Sequence, residues 1–398
     1  MKRTDIINRI LLYILLKPNK RAANKNNFHS FILLSLISLI ISLGVLETVL
    51  RLTHLFGARI SYIQPDRVLG MRFIPEHSYW SCKENNIPIS GKINSLGWRS
   101  KERSLKKSAN TFRIAVLGDS YVEAMQVEID RTFLVLAENE INGETSKKFE
   151  LWNFGLSGFT QTEEFLILQN ELKKYAVDMV ILFFFPGNDI DDIARKTAYY
   201  KNSRPFFTIS KNQELILDTS FSTTLEFKVK CFMNIFKKHS ALISLIAERY
   251  NVFRQMRSEQ RNKIETKIAG YLSLFTSHPD RIYLENYKLN KRLIQAMAEY
   301  CRGEKIKFML VCCDVYFNPR IEQEYKKIDS TFDKYFFEDD LQHFSQSVKI
   351  EYLGLQRIFS NASTLTGLTY HWSPGGHWDY QGHGLVATAL HSKLKPLF

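Results

Sequence analysis

Four short blocks of the sequence hold the side chains needed to move an acyl group. They are Gly118-Asp119-Ser120, then Asn153-Phe154-Gly155-Leu156-Ser157-Gly158, then Gly187-Asn188-Asp189, and a late block running from Gly375 through His377, Trp378 and Asp379 to His383. A serine hydroxyl attacks a carbonyl only when a base takes its proton. An imidazole suits that task and can return the proton to the leaving alcohol. Ser120 is therefore the candidate nucleophile and His377 the candidate base. The tetrahedral intermediate needs preorganised donors around its oxyanion. The backbone N–H groups of Ser120 and Gly158 and the side-chain amide of Asn188 are the candidates. Each block alone is ordinary turn composition. Their joint occurrence is what points to acyl transfer.

Such groups work only if a scaffold brings them together. Residues 112–117 (FRIAVL), 149–154, 179–185 (MVILFFF), 307–313 and 350–355 are apolar runs, most of them closed by turn residues. Runs of that length fit strands buried on both faces. Helix-period stretches at about 126–142, 161–175 and 284–303 separate them. Alternation of this kind predicts an α/β fold, a doubly wound, flavodoxin-like parallel sheet of about five strands between helical layers. Ligands in such sheets sit beyond the carboxyl ends of the strands, and the first three blocks directly follow apolar runs. The order predicts a loop-rich lead-in over 51–110, a main domain over 111–398, and a helical insertion at about 222–282, either a lid or a solvated decoration.

The blocks resemble those of the SGNH/GDSL hydrolases, a family named for its Ser, Gly, Asn and His. The resemblance spans about 112–395, interrupted by the helical insertion. Asn94-Ser95-Leu96-Gly97-Trp98-Arg99 also resembles the lead-in of membrane-anchored bacterial members. It implies an ester hydrolase of the serine type acting on acyl esters of lipids or glycans, with no cofactor. Some members transfer acyl groups, so an O-acyltransferase of cell-surface glycans is an alternative. One position departs from the pattern. The family carries an Asp two or three residues before the base, and here those positions are Gly375 and Pro374. Asp379 or Asp314 could supply the acid in space, or a backbone carbonyl near 374–375 could orient a Ser–His dyad. Loss of the acid also leaves open an inactive binding module. His371 is a rival base, and His383 falls where a packing or capping role is expected. A zinc site from these histidines would leave the Ser and Asn blocks unexplained, so no metal is expected.

Composition sets the remaining bounds. With 45% hydrophobic and 24% charged residues the 398-residue chain is globular, not disordered. The net charge of +13 comes partly from Lys2, Arg3, Arg9, Lys17, Lys20, Arg21 and Lys25. No basic stretch is interleaved with aromatics, which argues against a nucleic-acid partner and for an anionic surface or glycan. Cys82, Cys231, Cys301, Cys312 and Cys313 match no zinc spacing, and a Cys82 disulfide to Cys231 or Cys301 is conceivable. Residues 28–50 contain an uncharged run long enough to span a bilayer core of ~30 Å. No small-residue cleavage site follows, which disfavours a signal peptide, and the cationic flank disfavours a buried helix. Positive charge precedes the span, so residues 1–27 are expected in the cytoplasm and the main domain outside it. A shorter apolar stretch at 6–16 would lie in the membrane interface.

Overall fold

The computed structural model describes residues 20–82, 84, 86–259, 268–373 and 375–397. The expected basic N-terminus up to residue 19, with its 6–16 stretch, and Pro374 lie outside the described residues. The chain divides into two units, Met1–Ala58 and Arg59–Phe398. In the first, a helix over Lys20–Thr53 contains a 26-residue apolar part, Phe28–Thr53, whose most apolar 18 residues have a mean hydropathy of 2.3, and it is exposed along most of its length, with Leu50 buried near its end. Among the described residues it is the one helix long and apolar enough to cross a membrane.

The second unit opens with the lead-in. It holds two antiparallel pairs, β1 (Ile63–Asp66) with β2 (Gly70–Phe73) and β3 (Ser78–Ser81) with β4 (Ile89–Lys92). The main sheet follows with β5 (Thr111–Gly118), β6 (Lys148–Gly155) and β7 (Met179–Phe184). A small hairpin, β8 (Phe206–Ile209) and β9 (Leu215–Asp218), precedes β10 (Lys307–Cys312) and β11 (Glu351–Gly354). The main sheet has five strands in the order β11-β10-β7-β5-β6, all parallel. This is the flavodoxin-like winding, with its switch point between β5 and β7.

Period-two alternation splits the side chains of the central strands between two cores. Ala115, Leu117, Val180, Leu182 and Phe184 face one, with Phe165, Leu168, Leu293 and Met297 of the helices Gln161–Asn170 and Arg281–Gly303. Ile114, Val116, Met179, Ile181 and Phe183 face the other, against the helices Phe133–Glu144, Gln356–Thr366 and Tyr380–Leu394. With apolar side chains on both faces, these strands read as continuous apolar runs in the sequence.

Two expectations need correction. The stretch 126–142 is helical only from Phe133, because a short 3-10 turn at Ile129–Arg131 precedes it. The insertion is wider than its helical pattern, since the β8–β9 hairpin comes before the helices Leu225–Lys237 and Ala241–Glu259. The side chains of residues 254–267 lie outside the described residues. All five cysteines are free thiols, so neither conceivable disulfide forms.

Candidate active site

Strand β5 ends at Gly118, and Asp119 turns the chain into a one-turn helix, Ser120–Glu123. Asp119 caps that turn by accepting from Tyr121 N at 2.9 Å. The turn lies hard against β6. A Cβ on Gly155 would come within 2.5 Å of Glu123 N and 2.7 Å of Val122 C, both backbone atoms. Only glycine permits that approach. Asn153 holds the turn from the same strand, donating to Val122 O at 2.7 Å. Arg99 holds it from the lead-in. Its guanidinium donates to Glu123 O at 2.9 Å, Val127 O at 2.5 Å and Tyr79 Oη at 2.9 Å. The Asn94–Trp98 turn that delivers Arg99 is closed by Asn94 Oδ1, which accepts from Leu96 N and Trp98 N, and Gly97 takes φ +81° there.

His377 reaches Ser120 from a tight hairpin. Trp372 N donates to His377 O at 3.0 Å, His371 bridges Trp378, and Gly376 N donates to Ser373 O at 2.9 Å. The imidazole Nε2 lies 2.7 Å from Ser120 Oγ. On the other side of the ring, Nδ1 lies 2.5 Å from Glu84 Oε1, and His377 N donates to Glu84 Oε2 at 2.8 Å. A carboxylate can only accept, so Nδ1 carries the proton and Nε2 is left to accept from the serine hydroxyl. Both side chains of the pair are about one-quarter exposed, at 24% and 22%. Tyr121 packs on the imidazole with ring centroids 4.8 Å apart.

Glu84 comes from the loop between β3 and β4, nearly 300 residues before His377, with |i−j| = 293. Sequence reasoning missed it and looked instead to Asp379, Asp314 or a carbonyl near 374–375. None of these is the partner of Nδ1. Asp379 is the N-cap of the last helix, and its Oδ1 accepts from Gln381 N at 2.9 Å and Gly382 N at 2.8 Å. Asp314 accepts from Trp378 Nε1 at 2.8 Å, and its other oxygen lies 3.2 Å from His371 Nε2. The dyad with a carbonyl-oriented base is likewise replaced by a carboxylate contact. No signal in the sequence separates Glu84 from the other acids of the lead-in.

The other histidines have their own places. His371 is buried against Asp314, with Nδ1 at 2.9 Å from Thr369 O, and is not the neighbour of Ser120. Burial pulls its imidazolium down, but the Asp314 carboxylate and the Thr369 carbonyl outweigh this and hold it above its ordinary value. Burial drives His383 down to about 3, so its Nδ1 is free to accept from Phe133 N, at 3.3 Å. Among the described residues no cluster of His, Cys, Asp or Glu could hold a metal ion.

Gly158 sits third in a β-turn closed by Phe159 N donating to Leu156 O at 3.0 Å, and takes the φ of +81° that this position demands. A Cβ there would meet only Met71 Cε, at 3.8 Å, so this turn is open to an approaching ligand. Asn188 Nδ2 donates to Phe159 O at 3.0 Å, with a longer contact of 3.4 Å to Asp189 Oδ1. The amide expected at the oxyanion thus braces the Gly158 turn in this state. Beneath the site lie three buried acids. Burial pushes Asp119 up to about 6 and pushes Asp189 and Glu164 well above the usual carboxylate range. Gln161 links the latter two, and Asn290 holds Gln161.

No protein-family model and no curated protein matches the chain. It is similar to solved GDSL-type lipases and esterases. One is a GDSL-like lipase from Bacteroides thetaiotaomicron, at 11% identity and TM-score 0.35, covering 74% of this chain and 93% of that one. A lipase/acylhydrolase from Enterococcus faecalis stands at 13% identity and TM-score 0.35, covering 72% and 96%. A catalytic mutant of an acetylxylan esterase from Geobacillus stearothermophilus stands at 8% and 0.38, covering 71% and 94%. At these identities no residue's role passes from them to this chain, whose site stands on its own geometry.

Proposed function

We propose that the chain is a serine ester hydrolase in which Ser120 attacks, His377 takes and returns the proton, and Glu84 orients His377. The observation that carries this reading is the continuous contact Glu84 Oε1, His377 Nδ1, His377 Nε2, Ser120 Oγ, at 2.5 and 2.7 Å. Attack on the ester carbonyl forms the Ser120 Oγ–C bond as the hydroxyl proton passes to Nε2. Glu84 then faces an imidazolium and stabilises it. The proton goes on to the departing alkoxide, which leaves as an alcohol. Water, deprotonated by the same nitrogen, frees the acid and restores the serine.

The oxyanion is held by the N–H groups of Ser120 and Gly158, together with the Asn188 N–H now on Asp189, whose 3.4 Å contact is the weaker of its two. Each such donor contributes about 10²–10³ in kcat in comparable sites. The substrate is an acyl ester of a lipid or a glycan. The apolar helix Phe28–Thr53 anchors the enzyme to a membrane, with the N-terminus cytoplasmic and the hydrolase unit extracytoplasmic.

The test is hydrolysis of a short-chain ester by the full chain and by Ser120→Ala. Turnover that vanishes in the variant, with its circular dichroism unchanged, supports the reading. Equal turnover by both proteins rules it out.

A further inference from the structure

The insertion helix Leu225–Lys237 presents an apolar stripe to solvent. Leu225, Val229, Phe232 and Phe236 recur at helical spacing and are all exposed, Leu225 at 77% and Phe232 at 59%. The opposite face is the one that packs, with Phe227 buried and Lys230 bonded to Ser203 Oγ at 2.6 Å. The following helix, Ala241–Glu259, adds Ile246 and Tyr250, both exposed. Isolated exposed apolar residues need no explanation, but a run along one helix face marks a docking surface.

Two observations say what covers it. The first is chain continuity. Ser61 N donates to Lys237 O at 3.0 Å, and Arg59 pairs with Glu248 at 3.0 Å. The lead-in members of this clamp, Arg59 and Ser61, lie within eight residues of Thr53, where the apolar helix stops. A chain of that length reaches at most about 28 Å when fully extended. The second is charge. Lys228 is exposed beside the stripe and Lys238 follows the helix, while the one acid within it, Glu226, is paired with Lys230 on the packed face. An amphipathic helix of apolar stripe and lysine flanks fits the headgroup–acyl boundary of an anionic bilayer.

We propose that the Leu225–Lys237 helix docks on the same membrane in which the Phe28–Thr53 helix is anchored, with Phe232 and Phe236 inserted among the lipids. This rests on the anchor reading above. The helix packs on β1, whose partner β2 brings Met71 beside the Gly158 turn, so docking would carry the proposed oxyanion turn toward the lipid surface.

The test uses the full chain in vesicles of phosphatidylcholine with phosphatidylglycerol. An environment-sensitive fluorophore is placed at Phe232→Cys in a Cys82→Ser, Cys231→Ser background, and in a second protein at Lys211→Cys in the β8–β9 turn. Hydrolysis of a soluble ester checks that each variant is folded. The expected result is a blue shift at 232, quenching there by nitroxide-bearing lipids, and neither at 211. Omitting phosphatidylglycerol should weaken the quenching. A label at 232 that stays open to aqueous iodide overturns the docking while leaving the anchor and the hydrolase intact. Shielding at 232 by a second copy, seen as energy transfer between chains without lipid quenching, also overturns it. A chain stripped from the vesicles by alkaline carbonate overturns the anchor and the docking together.

Discussion

The C-terminal hairpin carries two histidine–carboxylate pairs built from the same chemistry in opposite settings. His371 and Asp314 are 1% and 2% exposed and lie 3.2 Å apart. His377 and Glu84 are about one-quarter exposed and end on the Ser120 hydroxyl. The buried pair ties strand β10 to the hairpin and, through Asp314, fixes the Trp378 indole beside the base. The quarter-exposed pair can gain and lose a proton at its far nitrogen without stranding a charge in the core. What separates structure from chemistry here is access, not residue type.

Substitutions should fall into two groups along this division. Ser120→Ala and His377→Ala should each lower kcat for ester hydrolysis by at least about 10⁴, since such groups act as a unit. Glu84→Gln should cost about 10²–10⁴ in kcat with little change in KM, because the amide no longer fixes the imidazole tautomer or faces an imidazolium. Steady-state kinetics on a short-chain ester reads both.

Asp314→Asn should leave kcat within about tenfold and instead lower stability by about 1–3 kcal/mol, the range for breaking a buried polar contact. Its pH dependence has a definite sign. His371 is held above its ordinary value of 6.5 in the folded chain. The stabilisation from that pairing is therefore complete below pH 6.5 and is lost as pH rises through the higher folded value. Denaturant midpoints measured across that window should fall for the native chain and stay flatter for Asp314→Asn. The smallest effect belongs to Asp379→Asn, which should lower kcat less than tenfold, because Asn caps a helix about as well as Asp.

The same division explains what the sequence disclosed. The strands of the main sheet were legible because burial on both faces leaves continuous apolar runs. The blocks around Ser120, Gly158, Asn188 and His377 were legible as turns because each has compositional constraints, glycine above all, and of these residues Ser120 and His377 meet in the structure. Glu84 was not. It lies in a loop between two four-residue strands, and a loop carries no periodicity to say which way a carboxylate points. Asp314 and Asp379 were attractive because they lie at a strand end and beside the base in sequence. Both carboxylates are already committed, one to an indole and a histidine, the other to a helix N-terminus, and such commitments are visible only in three dimensions. The lead-in block around Asn94 and Arg99 read as a family resemblance. Its physical role, a guanidinium on the carbonyl of the nucleophile turn, emerged from the fold.

The most direct test of Glu84 as the third member is the rate at which a fluorophosphonate labels Ser120 in the native chain, Glu84→Gln and Asp314→Asn, with the adduct located by mass spectrometry. The adduct is expected on Ser120, with a rate lowered by about 10² or more in Glu84→Gln and within about tenfold of native in Asp314→Asn. A native rate in Glu84→Gln, with the loss appearing in Asp314→Asn, would contradict that role.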